Sequence, residues 1–225
     1  MNDRYWCPSC CRRFSLLSCT WLHDLKLPLE QWWLVLWAWT QAVPVKQAMA
    51  LSHLSEMAVR HWYDQFRAHL PENPLILEKI VQLDEAYGKG WVLLMGKQPK
   101  TRKVAYVLLP RKSVERYHAN HFLRQYVAPE TRLQTDGSQI YQGIERWWPV
   151  THETDIHKKW EFGKTSEIEG LFGNFRTFIR RMYHHVTPEK MPEYVREFSV
   201  RFSSPEMFQN PKYYLQKSLI TAPID

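Results

Sequence analysis

Three acidic residues stand at positions where a folded chain could bring their side chains together. Asp84 comes near the end of the apolar run 80–87, and Asp136 ends a second short strand pattern. Glu169 lies near the start of a helical pattern. Two strand ends and a helix can supply the carboxylates that hold two divalent metal ions for phosphoryl transfer. The residues therefore predict metal-dependent chemistry on a phosphodiester.

Two of these acids have an acidic neighbour, which leaves a choice open. Successive strand residues point to opposite faces, so only one of Asp84 and Glu85 can face the site, and the hydrophobic alternation does not decide which. Glu167 and Glu169 are about 200° apart around a helix, so they cannot both point inward. Any one of these acids alone is more commonly a surface carboxylate with an ion-pair partner.

Basic residues are concentrated in the same part of the chain. The net charge is +7, and residues 78–150 carry twelve basic and seven acidic residues. This favours a polyanionic partner, with a solvated hairpin and helix face as the alternative. Arg176 is seven residues after Glu169 and so shares its helical face, which Arg180 continues. The candidate DNA contacts here are Lys97, Lys100, Arg102, Lys103, Lys164, Arg176 and Arg180.

The elements that must position the acids begin after a break rich in proline. Pro71 and Pro74 prevent a continuing helix, and the apolar spacing then changes from helical to extended, which predicts a domain boundary. Three strands, a helix over 114–126, a fourth strand and later helices follow. This order resembles an α/β fold of the ribonuclease-H-like kind, in which the first and fourth strands lie side by side and a helix beside them carries the third acid.

The chain before this boundary is helical. Periodic apolar residues predict helices over 29–41, 45–51 and 56–69. A short helix, a tight turn and a polar-faced second helix fit a helix-turn-helix, whose second helix enters the major groove of DNA. An ordinary helical hairpin fits the pattern equally well. Arg60 and Arg67 are the candidate DNA contacts of this region.

The N-terminus carries a Cys-x-x-Cys motif made by Cys7 and Cys10. Zinc takes four ligands and a second knuckle is missing, so the motif predicts half of a zinc ribbon, with these two cysteines as its remaining ligands. All four cysteines lie within the first nineteen residues, which favours a reducing compartment. The apolar stretch 29–40 is too short to span a bilayer.

Taken together, the motifs resemble those of bacterial insertion-sequence transposases of the ISXO-two-like kind, in the DDE class. The matching landmarks occur in the family's order over about residues 5–202. They are Tyr5-Trp6-Cys7-Pro8-Ser9-Cys10, Leu83-Asp84-Glu85-Ala86-Tyr87, Thr135-Asp136-Gly137, His157-Lys158-Lys159-Trp160-Glu161-Phe162, Ile168-Glu169-Gly170 and Tyr183-His184-His185-Val186.

The resemblance implies a site and a set of partners. Asp84, Asp136 and Glu169 would be the catalytic acids and would hold two Mg²⁺ or Mn²⁺ ions. Double-stranded DNA would be bound both as terminal inverted repeats and as target, by a homodimer. The protein would act in the bacterial cytoplasm, associated with the nucleoid and without a membrane. The alternatives are a non-catalytic DNA-binding remnant of a transposase and a nuclease of the same fold.

The resemblance also implies four segments and shows two departures. The segments are a partial zinc ribbon over 1–24, a helix-turn-helix region over 25–72, a catalytic domain over 75–204 and a C-terminal tail over 205–225. Ser166 stands where many relatives have Asn, which favours Glu169 as the third acid. The family's first zinc knuckle is missing, which predicts an internal start or a truncated copy, no stable zinc site and impaired recognition of element ends.

Overall fold

A computed structural model describes residues 4–15, 17–18, 20–71, 75–110, 113–154 and 165–220. Two compact units divide the chain. One contains residues 1–71 together with 206–225, and the other contains residues 72–205. The C-terminal residues, which the sequence left as a tail, thus group with the N-terminal helices.

The first unit is helical apart from a small hairpin. Its elements are β1 (Tyr5–Trp6), β2 (Arg13–Phe14), α1 (Leu29–Thr40), α2 (Val45–Ser52), α3 (Glu56–Ala68), α7 (Glu206–Gln209) and α8 (Pro211–Ile220). Aromatic side chains fill its core: the rings of Trp39 and Tyr214 are 5.0 Å apart, and those of Trp39 and Phe66 are 5.5 Å apart. The Tyr214 hydroxyl also donates to the carbonyl oxygen of Phe66 at 2.8 Å. These contacts hold the C-terminal helix against α1 and α3.

The turn between α2 and α3 has clear stop and start signals. His53 takes a left-handed conformation with φ 56° and ends α2. Ser55 begins α3, because its hydroxyl oxygen accepts from the backbone N–H of Ala58 at 3.3 Å. The structure therefore has the short helix, tight turn and second helix that the sequence predicted.

The second unit is built on a five-stranded mixed sheet. Its strands are β3 (Ile80–Gly88), β4 (Trp91–Lys97), β5 (Val104–Leu109), β6 (Arg132–Thr135) and β7 (Thr151–Thr154), in the spatial order β5-β4-β3-β6-β7. The first three strands form an antiparallel meander, whereas β6 pairs parallel to β3 and β7 parallel to β6. The first and fourth strands of this sheet are neighbours. The predicted α/β class is confirmed, and the strand order is the one expected for a ribonuclease-H-like fold.

Helices cover both faces of this sheet. On one face α4 (Arg116–Tyr126) packs over an apolar cluster that includes Val81, Leu83 and Phe122. This helix begins two residues later than predicted, because Glu115 caps it and forms a reciprocal capping box with His118. The other face is covered by α5 (Ser166–Met182) and α6 (Met191–Ser203).

Short 3-10 turns complete the second unit, over Gln139–Tyr141, Ile144–Arg146 and Pro188–Lys190. The first of them follows β6 and its terminal acid directly. Within the described ranges, no helix is both long enough and apolar enough to cross a membrane.

Candidate active site

Asp84 and Asp136 lie at the same edge of the sheet. The parallel ladder between β3 and β6 pairs Val81 with Leu133 and ends at Gln82 paired with Gln134. Asp84 and Asp136 are each two residues beyond this last pair, so the register sets them side by side. Parallel neighbouring strands thus bring both acids side by side, as the strand order predicted. Asp84 does not end its strand as expected, because β3 stays paired with β4 as far as Gly88.

The choice between Asp84 and Glu85 is decided by which face each side chain occupies. Val81 and Leu83 belong to the apolar cluster under α4, and alternation puts Glu85 on that face. Ala86 belongs to the cluster under α5, and alternation puts Asp84 on that face. Asp84 therefore shares its side of the sheet with the helix that carries Glu169.

A hydrogen bond from the first turn of α5 to β3 brings Glu169 to this edge. The backbone N–H of Ile168 donates to Oε1 of the buried Gln82 at 3.0 Å. Gln82 thus satisfies one of the N–H groups that a helix start leaves open. The Thr165 hydroxyl donates to Oε1 of Glu169 at 3.3 Å. The first turn of α5 is in this way fixed to the strand that carries Asp84.

The electrostatics of Asp84 show how crowded this edge is. Burial raises the pKa of Asp84 to about 7, opposed by the hydrogen bond that its Oδ1 accepts from the backbone N–H of Glu85 at 2.8 Å. The charges of Glu85, Asp136 and Glu169 raise the pKa further. Like charges that repel across a partly buried site are a common mark of a functional site. Asp136 and Glu169 are thus both near enough to act on Asp84, whereas Glu167 is paired with Lys97.

Two tyrosines donate hydrogen bonds to Glu85. The Tyr141 hydroxyl donates to its Oε2 and the Tyr87 hydroxyl to its Oε1, the latter at 3.4 Å. Burial raises the pKa of Glu85, the Tyr141 hydrogen bond lowers it, and the charge of Asp136 raises it again. Burial next to this carboxylate raises the pKa of Tyr141 well above its ordinary value. Glu85 is thus a second carboxylate near Asp136, acting from the α4 side.

The end of β6 is held by β7. The Thr135 hydroxyl donates to the carbonyl oxygen of Asp136 at 2.8 Å, and its oxygen lies 2.9 Å from Nε2 of His152. Burial lowers the pKa of His152, which favours the neutral ring. The backbone N–H of Ser138 donates to Oδ1 of Asp136 at 3.0 Å. These bonds fix both the backbone and the side chain of Asp136.

Carboxylate oxygens are the ligands that Mg²⁺ and Mn²⁺ prefer, so the donor set at this edge fits such an ion. Throughout the part of the chain that the structure describes, no three or more His, Cys, Asp or Glu side chains are already grouped closely enough to hold a metal. The acids are therefore gathered at one edge without being closed into a coordination sphere.

The basic residues predicted to contact DNA differ in their surroundings. Lys97 is 5% exposed and forms an ion pair with Glu167, which also accepts from the backbone N–H of Lys100 at 3.1 Å. The Lys97 hydrogen bond lowers the pKa of Glu167. Lys97 is thus engaged in joining β4 to α5, whereas the side chain of Lys100 is exposed.

Other basic residues of the second unit are more accessible. Arg102 is exposed, although it donates to the carbonyl oxygen of Phe202 at 3.4 Å near the end of α6, and Lys103 is within 3.3 Å of Glu78. Arg176 and Arg180 are exposed on α5. Lys164, like His157 and Cys19, lies outside the described residues.

In the first unit, the two arginines of α3 are placed differently. The Arg60 side chain is 51% exposed and pairs with Glu56 at 2.7 Å. The Arg67 side chain is only 1% exposed and pairs with Asp64 at 2.6 Å. Arg67 is therefore buried in the helical unit, and its expected role as a DNA contact does not fit this position.

The cysteine pair lies in the turn of the small hairpin. Backbone and side-chain hydrogen bonds from Cys10, and others from Ser9, lower the pKa of Cys7. The backbone N–H of Cys11 donates to the carbonyl oxygen of Cys7 at 2.9 Å. The described cysteines, Cys7, Cys10 and Cys11, are all free thiols. The two cysteines therefore lie on one turn of the chain.

Sequence reasoning did not assign a role to Gln82, Tyr141, Thr135 or His152. Gln82 did carry a signal, because a glutamine inside an otherwise apolar strand needs a buried partner. Tyr141, Thr135 and His152 carried none, since their roles depend on contacts between segments distant in sequence.

Solved structures that resemble the fold include retroviral integrases. The catalytic core domain of BIV integrase matches with 11% sequence identity and a TM-score of 0.40, over 55% of this chain and 82% of that chain. A chain of the simian T-cell lymphotropic virus intasome in complex with PP2A regulatory subunit B56 gamma matches with 12% identity and a TM-score of 0.42, over 75% of this chain and 67% of that chain. No curated protein matches the sequence.

The sequence profile of the ISXO2-like transposase domain matches residues 81–203. This match covers more than half of the chain. It runs from β3 to the end of α6 and so includes the whole sheet and all three acids. The chain belongs to the family of ISXO2-like transposase domains.

Proposed function

We propose that this chain is a DDE-class DNA transposase that nicks DNA at element ends and transfers the freed 3′-hydroxyl to target DNA. The observation that carries the proposal is the acid-rich edge of the sheet, where the charges of Asp136 and Glu169 reach a partly buried Asp84 whose pKa is raised to about 7. An uncompensated cluster of this kind favours binding of a divalent cation, because the cation relieves the repulsion between the acids.

Asp84, Asp136 and Glu169 are the residues that would hold Mg²⁺ or Mn²⁺. Bound ions of this kind would supply positive charge that lowers the pKa of the attacking water or 3′-hydroxyl and offsets the charge on the leaving 3′-oxygen. The contribution of the chain is to fix the three carboxylates and to orient the phosphodiester for in-line displacement. The ladder between β3 and β6 fixes the strand ends, and the bond from Ile168 to Gln82 fixes the helix.

Exposed basic residues on the second unit are the proposed contacts to the DNA backbone. Arg176 and Arg180 are exposed on the helix that carries Glu169, and Lys100, Arg102 and Lys103 lie in or beside the turn between β4 and β5. Phosphate contacts of this kind make binding fall steeply with salt. We do not include Lys97, because its charge is already paired with Glu167.

In the first unit, the α2–turn–α3 segment is the proposed reader of terminal inverted repeats, with Arg60 at its exposed surface. We further propose that the active form is a homodimer, because transposition joins two ends. Bacterial DNA in the cytoplasm is the proposed site of action. Zinc at Cys7 and Cys10 is not needed by the proposed chemistry.

The proposal is tested by incubating the protein with Mg²⁺ or Mn²⁺, a duplex carrying the element's own terminal repeat and a labelled target duplex. Joined product that disappears in Asp84→Asn and Asp136→Asn, with DNA binding retained, would support a transposase. Cleaved but unjoined DNA would instead indicate a nuclease, and binding without cleavage would indicate a DNA-binding remnant.

A further inference from the structure

A hydrogen bond links β3, next to Asp84, to the segment that follows Asp136. Tyr141 is 0% exposed, yet its hydroxyl is used, since it donates to Oε2 of Glu85. Glu85 is the residue after Asp84, and Tyr141 is five residues after Asp136. The bond thus connects the middle of β3 to the segment that leaves β6.

At this level the sheet no longer joins β3 directly to β6. Asp84 and Glu85 are paired with β4, and Thr135 is paired with β7. The ladder between the two strands ends at Gln82 and Gln134, two residues before the acids. Beyond that point Asp136 is held by Thr135 and Ser138, which are its own chain neighbours. Among these bonds, the one from Tyr141 to Glu85 crosses from the Asp136 segment to the Asp84 strand.

Glu85 is not oriented as a fourth ligand beside Asp84. It lies on the α4 side of the sheet, and both of its carboxylate oxygens accept hydrogen bonds from tyrosine hydroxyls. Asp84 occupies the α5 side together with Glu169. Glu85 can therefore act on the site through the backbone it shares with Asp84 and through the segment that Tyr141 anchors.

We propose that Glu85 and Tyr141 form a positioning pair that sets the separation of Asp84 and Asp136 and thereby the affinity of the site for a divalent cation. This inference rests on the proposed function of the three acids. Groups that orient metal ligands through hydrogen bonds commonly change metal affinity about 10- to 100-fold when they are removed. Because a hydroxyl and a carboxylate act here as one unit, removing either should have a similar effect.

The test is the affinity of the full chain for Mn²⁺, measured by the electron paramagnetic resonance signal of the free ion. We expect Tyr141→Phe and Glu85→Leu, each of which removes the hydrogen bond, to weaken binding about 10-fold. The double variant should be no weaker than the worse single variant, because the two residues share one interaction. Tyr87→Phe is the matched control: its hydroxyl lies 3.4 Å from the same carboxylate at an exposed position, and its removal should leave affinity within about twofold.

A second readout separates positioning from a general loss of fold. In Mn²⁺-dependent DNA cleavage, the positioning variants should need about 10-fold more Mn²⁺ for half-maximal rate and should recover the wild-type rate at saturating Mn²⁺. The melting temperature of each variant is recorded alongside. A rate that stays low at all Mn²⁺ concentrations, in a variant with the wild-type melting temperature, would overturn the proposal. If one variant is poorly folded, the other carries the test.

Two further results would overturn the inference. One is wild-type Mn²⁺ affinity in Tyr141→Phe. The other is a loss in Glu85→Leu that greatly exceeds the loss in Tyr141→Phe, which would make Glu85 a direct ligand. Asp84→Asn separates this question from the proposed function: if it binds Mn²⁺ as tightly as wild type, the acid site itself is misassigned, whatever Tyr141 does.

Discussion

Replacing Asp84 with asparagine should stabilise the metal-free protein at neutral and alkaline pH. The pKa of Asp84 is about 7 in the folded chain, against an ordinary value of 3.8. Because the pKa is higher in the folded chain, the stability that neutral Asp84 contributes is fully present below its unfolded pKa of 3.8. That contribution is lost as the pH rises through the folded pKa of about 7. Between 3.8 and about 7, the wild-type protein thus progressively loses stability that Asp84→Asn, which cannot ionise, retains.

The size of the effect follows from the shift. About three pH units at about 1.4 kcal/mol each give about 4 kcal/mol in favour of the asparagine variant at about pH 8. At about pH 4.5 only the first part of the window has been crossed, and the advantage falls to about 1 kcal/mol. These are upper figures, because the neighbouring acids can move apart when Asp84 ionises.

Urea unfolding in the presence of a chelator, followed by circular dichroism at both pH values, measures the difference. Glu167→Gln is the matched control, since Lys97 lowers the pKa of Glu167 and the sign is reversed. That variant should lose stability relative to wild type at both pH values, and the loss should shrink only below about pH 4.5, as the pH falls through the lowered pKa of Glu167. Asp84 does not have a raised pKa if Asp84→Asn is less stable than wild type at about pH 8. The same conclusion follows if the gain in unfolding free energy of Asp84→Asn is equal at both pH values.

Three other results are expected. Glu167→Gln should lower the free energy of unfolding at neutral pH by about 1–3 kcal/mol in urea titrations. The loss is smaller than for a fully buried ion pair because Glu167 is 38% exposed, and no loss would mean that Lys97 finds another partner. Gln82→Leu should lower the free energy of unfolding by about 1 kcal/mol, because it leaves the N–H of Ile168 without its acceptor, and it should slow Mn²⁺-dependent cleavage. Unchanged stability and cleavage would show that Gln82 does not position the site. Arg176→Ala should weaken DNA binding about equally for all sequences. Measured by fluorescence anisotropy, it should also reduce the slope of log affinity against log salt concentration by about one, and an unchanged slope would exclude a phosphate contact.

Much of the sheet and the positions of the acids could be predicted from the sequence because they depend on local patterns. Apolar runs mark the strands, and acids at the ends of two runs meet once the runs are parallel neighbours. The late helix was also recognisable, since its apolar residues recur with helical spacing. These patterns predict the order of the helices and strands and place Asp84 and Asp136 side by side.

The orientation of the acids was not predictable, because it depends on contacts between distant segments. Asp84 and Glu85 look equivalent in sequence, and the buried Gln82 obscures the alternation that should distinguish them. The structure resolves this through the bond from Ile168, which is 86 residues away from Gln82. Glu167 and Glu169 are separated in the same way, since one pairs with Lys97 and the other reaches Asp84.

Charge patterns predicted the basic surface only in part. Lys97 and Arg67 look like accessible cations in sequence, yet both are buried beside carboxylates. A run of basic residues does not show which members are already paired. The fully buried Tyr141 illustrates the same limit, because nothing near it in sequence indicates that its hydroxyl meets Glu85.

The most direct test of the acid site is anomalous diffraction from crystals of the protein grown with terminal-repeat DNA and Mn²⁺. We predict anomalous density between Asp84, Asp136 and Glu169, adjacent to a DNA phosphate, and its loss in Asp84→Asn. Mn²⁺ bound elsewhere, with those three carboxylates unliganded in a complex that cleaves DNA, would contradict it.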